Sequence, residues 1–230
     1  MLATDPMWRR RLAVRRRVGY WLLAVYGVAW LVTSIHPWHP RDWLLENLLV
    51  FASVPTLIWL QHRAPWGIGT NAALLAFFLM HSVGAHYTYA EVPYKQFAHA
   101  LLPQQLDWSE LGGRNHYDRL VHFMYGLLVQ PTIRRLFQEA RMPSRVLELV
   151  CVQCIVATSA LYELIEWAVV LLAAPDLGAA YLGTQGDAWD AHKDILLALI
   201  GACVNSGLYL GCRSIQARRA TALLITKDLP

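Results

Sequence analysis

Six runs in this chain are apolar enough to cross a bilayer, and four of them place His, Asp or Glu side chains at the same end. Inside hydrocarbon the backbone must satisfy its own hydrogen bonds, which a helix does within one segment. Apolar runs of about 17–25 residues therefore read as membrane-spanning helices. They fall at Val18–Ile35, Trp43–Leu60, Gly69–Tyr89, Tyr117–Phe137, Val146–Ala173 and Ala188–Gly211. One such run would fit a buried helix of a soluble protein; six in 230 residues, with 56% hydrophobic and only 16% charged, argue against that. The expected fold is all-α, a polytopic integral membrane protein built as a bundle of about six transmembrane helices.

Charge sets the expected orientation. With a cytoplasmic N-terminus, 15 of the 20 Lys and Arg residues fall inside, from the run Arg9 to Arg17 through Arg63, Arg134, Arg135, Arg141 and Arg145 to the C-terminal basics. Only Arg41, Lys95, Arg114, Arg119 and Lys193 fall outside or at outer helix ends. This asymmetry follows the positive-inside bias and predicts that both termini are cytoplasmic. It divides the chain into a basic cytoplasmic segment (residues 1–17), a transmembrane domain (18–212) with a periplasmic loop at 91–116, and a cytoplasmic tail (213–230). Basic N-terminal runs also bind nucleic acid, but an apolar span follows this one at once, so no nucleic-acid partner is expected. The first span is too long for a signal-peptide core, and His36-Pro37-Trp38-His39-Pro40 after it lacks the small residues of a cleavage site. Cys151 and Cys154 form a C-x-x-C in the cytoplasmic half of the fifth span, where a disulfide is disfavoured and apolar packing is the expected role.

No internal repeat is evident, which counts against transporters built from paired halves. The long connection from Glu91 to His116 contains Pro93, Pro103 and Gly112-Gly113, and Tyr94 to Leu102 between them has the pattern of a short interfacial helix. The second outer loop ends in Gly183-Thr184-Gln185-Gly186-Asp187, a turn feeding the last helix. Tyr20, Trp21, Trp38, Trp43, Trp108, Tyr181 and Trp189 lie at expected headgroup depth and are explained by an aromatic belt.

The ionisable residues need more than that. Each costs roughly 2.5–3.5 kcal/mol at a helix centre on insertion scales. At about 1.5 Å of rise per residue, His122 sits one turn below Asp118 on the same face of the fourth helix. Glu166 and Glu163 lie about 10 and 15 Å deep on the fifth, and Asp194 about 9 Å below the start of the sixth. His86 is close to the outer surface on the third helix and His81 is deeper. Asp187 reads as a cap for the last helix and Asp190 as a first-turn acid favoured by the helix dipole. Asp118 has Arg114 and Arg119 as sequence neighbours. Glu163 and Glu166, two carboxylates on one face within an apolar helix, repel each other unless protonated, paired or bound to a cation.

A divalent metal answers this directly, since bundle cores build metal sites from carboxylates and imidazoles on facing helices. Glu163, Glu166, His122 and Asp194, with His86 as the outlying member, are the expected ligands. The donor set suits Mg, Mn, Ca or Fe, with Zn through the histidines. Asp118 and Asp190 are expected as outer-sphere base or substrate contacts. There is no G-x-S-x-G, H-E-x-x-H or Walker-type glycine loop. A site in the outer leaflet points to a membrane lipid or lipid-linked headgroup as substrate, and to hydrolysis or transfer if the metal activates water or clamps a phosphate. A proton-coupled transporter using the same carboxylates, and a non-catalytic lipid- or antibiotic-binding protein, are the competing expectations.

Four motifs carry a family resemblance. They are His86-Tyr87-Thr88-Tyr89-Ala90 with Val92-Pro93; Arg114-Asn115-His116-Tyr117-Asp118-Arg119 with His122-Phe123; Ser159 through Trp167; and Leu182 through Asp190 with Asp194. Together they resemble the YjdF-like family of bacterial inner-membrane proteins across most of residues 18–212. The order D-x-x-x-H-F, E-x-x-E, D-x-x-x-D with Gly201 following is also distantly similar to the wider VanZ-like group, one member of which is associated with resistance to a lipoglycopeptide antibiotic. His192 stands where the YjdF-like pattern has Gln, and the stretch Leu101 to Gly113 is longer than usual. The resemblance implies an inner-membrane location and makes Asp118, His122, Glu163, Glu166, Asp187, Asp190 and Asp194 the positions of interest; Arg119 and Asn115, with Asp187, are expected as further polar residues of the site.

Overall fold

The computed structural model describes residues 6–94, 96, 114–173 and 184–227. Within them the chain forms six long helices: α1 (Pro6–Thr33), α2 (Pro40–Arg63), α3 (Ile68–Tyr87), α4 (Tyr117–Phe137), α5 (Ser144–Ala173) and α6 (Asp190–Lys227). Short 3-10 turns, Tyr89–Glu91 and Gln138–Ala140, follow α3 and α4, and no strand occurs among the described residues. The protein is an all-α polytopic membrane protein. Four helices, α2, α3, α5 and α6, are long and apolar enough to cross a membrane. Six spans were expected; α1 and α4 are helical as well but more charged. The uncharged part of α1 begins only after Arg17, while α4 carries Asp118 and Arg119 at one end and Arg134 and Arg135 at the other.

Apart from α4, helix ends and expected membrane boundaries do not coincide. The Arg-rich segment before Val18 is helical from Pro6, and α6 runs on past Gly211 to Lys227. Arg, Ala, Leu and Gln are good helix formers, and no Gly or Pro interrupts residues 212–227. At its start, α2 has Pro40 in the first turn, where a missing N–H is harmless, and Asp42 close by where the helix dipole favours an acid. The amphipathic segment expected from Tyr94 to Leu102 lies, apart from Tyr94 and Gln96, outside the described residues.

α3 ends two residues earlier than expected, at a backbone outlier. Thr88 has φ 63° and ψ 127°, a region costly for a β-branched residue. Its hydroxyl donates to Asp42 Oδ2 at 3.2 Å and its carbonyl accepts from Glu91 N–H at 2.8 Å, which hold the bend. The bend folds Tyr89 back into the bundle against Gly84, where a Cβ would lie 2.7–2.8 Å from the tyrosine ring. There the Tyr89 hydroxyl donates to His81 Nδ1 at 2.5 Å, while His81 Nε2 donates to the Glu46 carbonyl at 3.2 Å.

α4 is the central helix, packed on α3, α5 and α6; α1 and α2 lie on α3. Lipid tails are as apolar as Leu, so close backbone approach at small residues replaces the hydrophobic drive between membrane helices. At the α4–α6 crossing, a Cβ on Gly126 would lie 2.0 Å from the Ala198 carbonyl oxygen, and one on Gly201 2.0 Å from that of Phe123. Ile155 of α5 packs beside Ala198 and Ala202 at this crossing. Outward positions such as Trp21, Leu31, Leu164, Leu172 and Leu208 are exposed apolar residues, as a lipid-facing surface requires.

The end of α4 away from the outer acids holds a buried polar network. Arg134 donates to both oxygens of Glu148 (2.6 and 2.7 Å) and to Asn205 Oδ1 (2.6 Å), and its guanidinium lies 4.1 Å over the Tyr209 ring. Gln130 and Ser206 also donate to Glu148, at 3.2 and 2.8 Å. By sequence Arg134 counts only as a topology charge. In the fold it joins α4, α5 and α6 from within.

Candidate functional site

His122, one turn into α4, organises the site. Its Nε2 lies 3.3 Å from Glu163 Oε1 on α5 and 3.6 Å from Asp118 Oδ1 on its own helix, and its Nδ1 is 3.5 Å from Ser159 Oγ. The spacing i, i+4 puts Asp118 and His122 on one face, and the glycine crossing brings α6 close enough to add Asp194. One donor atom from each of Asp118, His122 and Asp194 lies within 4.8 Å of the others. Asp194 is 2% exposed, and its Oδ1 is buried with no hydrogen-bond partner among the described residues. An unsatisfied carboxylate oxygen in a dry interior is expensive, and here it belongs to a group of convergent ligand atoms.

A second layer of charge lies just outside. Arg114 donates to Asp190 Oδ1 and to the Thr184 carbonyl; Arg119 donates to Asp187 Oδ2 at 2.6 Å and to Asp190 Oδ1 at 3.3 Å. Lys193 adds a bond to Asp187 Oδ2 at 2.5 Å, and Asp187 Oδ1 accepts the Trp189 N–H at 3.1 Å. Asn115 and Gln185 pair reciprocally, with Asn115 N–H donating to Gln185 Oε1 at 2.8 Å and Gln185 Nε2 to the Asn115 carbonyl at 3.0 Å. The brace joins the approach to α4 with the turn before α6. Asp190 was expected as a base or substrate contact; with one oxygen held by two guanidiniums, its geometry is that of a tether. Asp187 was expected to cap the last helix; α6 begins at Asp190, and the Asp187 carboxylate accepts the Trp189 N–H in the turn before it.

The Lys193 ammonium, followed by the Trp189 N–H and Arg119, holds the Asp187 carboxyl down to about 2, from an ordinary value of 3.8. A folded-state pKa below the unfolded one contributes stability above the unfolded value, lost as pH falls through the folded value. Amide protection in the turn Thr184–Trp189, corrected for intrinsic exchange, should therefore hold down to about pH 4 and fall away towards pH 2. In Asp187→Asn that decline should be absent.

Against this cluster lies a cavity of about 300 Å³, at the lower end of the range for small-molecule sites. Asp118, His122 and Glu166 form its polar wall, and Phe77, Tyr89, Val121 and Tyr125 are among its apolar and aromatic sides. Tyr162, also in the wall, donates to Glu46 Oε2 of α2 at 2.9 Å and interacts with Glu166. Glu46 is 4% exposed and is a site residue that sequence reasoning missed, because the second span reads as plainly apolar. A lone Glu in such a run was the available signal.

Three expected ligands thus converge with Asp118 or touch the same imidazole. Glu166 lies apart in the cavity wall. His86 is not brought to the group: its Nδ1 donates to the Thr33 carbonyl at 2.8 Å, at the end of α1. Five residues separate it from His81, about 140° around the helix, so only His81 faces the Glu46 side.

Residues 18–214 match the family described as Predicted membrane protein (DUF2238). The chain is also 37% identical over 179 residues to the inner membrane protein YjdF of Escherichia coli strain K12, covering 75% of this chain and 79% of that protein. No solved structure matches the chain significantly. By the extent of the family match and by this relative, the chain belongs to the DUF2238, or YjdF-like, family and is a multi-pass protein of the inner membrane.

Proposed function

We propose that Asp118, His122, Glu163 and Asp194 hold a divalent cation and that the site acts on a lipid or lipid-linked headgroup at the periplasmic leaflet. The observation that carries this reading is the buried, unpartnered Asp194 Oδ1 within a group of three donor atoms spanning 4.8 Å. Carboxylate oxygens with one imidazole suit Mg, Mn, Fe or Zn. Several carboxylates around one imidazole carry too much negative charge for a dry site unless a cation or protons offset it. A bound divalent ion would supply a Lewis acid for a phosphate or ester oxygen and a water of lowered pKa. The protein's own part is positional. Arg114 and Arg119 hold Asp190 by its Oδ1, while its Oδ2 is buried with no hydrogen-bond partner among the described residues. Asp118 belongs to both the cluster and the cavity wall, where it can take a proton from an incoming group, and Glu166 lines the far side of the same space. The periplasmic assignment rests on the Arg-rich segments lying at the opposite end of the helices.

The test is metal content of the full chain purified in mild detergent without added metal or chelator, beside Asp194→Asn and Glu163→Gln. Near-stoichiometric metal in the parent, lost in folded variants, is the expected result. A folded parent that carries no metal and takes none up on titration overturns the reading. Proton-dependent flux in liposomes would then favour transport.

A further inference from the structure

The cavity draws its walls from α2, α3, α4, α5 and the Tyr89 turn, and it does not end inside the protein. Leu161 and Ile165 line it, yet they are 55% and 48% exposed on the outer face of α5. A residue that borders both a cavity and the surface marks its mouth. The mouth lies between α2 and α5, two helices that share no extended packing: α2 rests on α3, and α5 on α4 and α6. What spans the gap is polar, the Tyr162 hydroxyl donating to Glu46 Oε2 at 2.9 Å.

The outside of that gap is the apolar, lipid-facing surface, with Leu164 exposed one turn from Leu161. The interior changes character along its length, from Leu49, Phe77 and Tyr125 to Asp118, His122 and Glu166. A water-soluble substrate gains nothing from a side door into hydrocarbon. An amphiphile does, because its tail stays in an apolar medium throughout while its headgroup alone crosses into the polar end.

We propose that the site is reached sideways from the membrane, through the gap between α2 and α5, and that the cavity holds part of an acyl or prenyl chain of a lipid whose headgroup lies at Asp118 and His122. Tyr162 and Glu46 form the latch across the gap. The inference deepens the headgroup reading given above and rests on it for the polar end.

The experiment uses the full chain in vesicles of phosphatidylethanolamine and phosphatidylglycerol, doped with a phospholipid bearing a diazirine at one acyl terminus. Photo-adducts are mapped by peptide mass. Phe77 is 5% exposed, so an adduct there requires a chain inside the cavity, whereas Leu208, 62% exposed and no part of the cavity lining, reports ordinary lipid contact. Adducts at Phe77 or Tyr125 as well as Leu208 are expected. Leu161→Trp, which fills the rim, should lower the inner adducts severalfold and leave Leu208 unchanged; Ile165→Trp on the same rim serves if the first variant does not fold. Tyr162→Phe should raise them. Adducts at Leu208 alone, or inner adducts indifferent to both rim variants, overturn the proposal. The metal reading is separated by its own assay: inner adducts in metal-free protein leave the portal standing without the metal, and bound metal with no inner adducts leaves the metal without the portal.

Discussion

Glu148→Ala should destabilise the protein by about 3–5 kcal/mol, the usual consequence of stranding one partner of a buried ion pair. Arg134 and Glu148 are 6% and 3% exposed, and the carboxylate accepts from Arg134, Gln130 and Ser206. Without it, the guanidinium retains only Asn205 and the Tyr209 ring as the neighbours described above. Thermal unfolding in detergent checks this. Two apolar groups of similar shape carry no charge to strand, so Arg134→Met with Glu148→Leu should recover most of the loss. A single-variant effect below about 1 kcal/mol would mean that the pair behaves as a solvated one.

Gly126→Ala and Gly201→Ala are expected to be nearly as damaging. Overpacking ordinarily costs about 1–3 kcal/mol, and these sites belong at the upper end because the obstacle is backbone. The added methyl would meet a carbonyl oxygen 2.0 Å away in each case, so α4 and α6 must separate. That separation has a second effect, because α4 carries Asp118 and His122 and α6 carries Asp194. Metal uptake should fall together with stability, in variants that touch no ligand. Gly207 and Gly211 lie on the same helix, but a Cβ at either would meet nothing within 4 Å. Ala at those two positions should be neutral or stabilise by up to about 1 kcal/mol.

The helices were legible because apolar length and hydrogen-bond demand leave few options. Tyr117–Phe137 coincides with the expected span, and the other five differ at their ends. Those differences arise because hydrophobicity marks where lipid begins, whereas a helix stops where the backbone is broken, as at Thr88. The i, i+4 pair on α4 was readable from spacing alone. Asp194 was expected beside it from its depth, but the close crossing that brings it there was not legible, since it depends on two glycines 75 positions apart. Glu46 was passed over as a lone acid in an apolar run, and its partner Tyr162 is 116 residues away. Arg134 was hidden by a rule that counts basic residues near helix ends without asking which way they point. His86 was overvalued because depth along a helix says nothing about helical phase.

The Arg114, Arg119 and Gln185 brace has a consequence for how such proteins diversify. It fastens the last residues before α4, and Arg119 in its first turn, directly to the turn before α6. Insertions in 97–113 or 174–183 should therefore leave metal uptake by Asp118, His122 and Asp194 unchanged, which the metal-content assay checks. A change of loop length there should leave the three side chains beneath it in register.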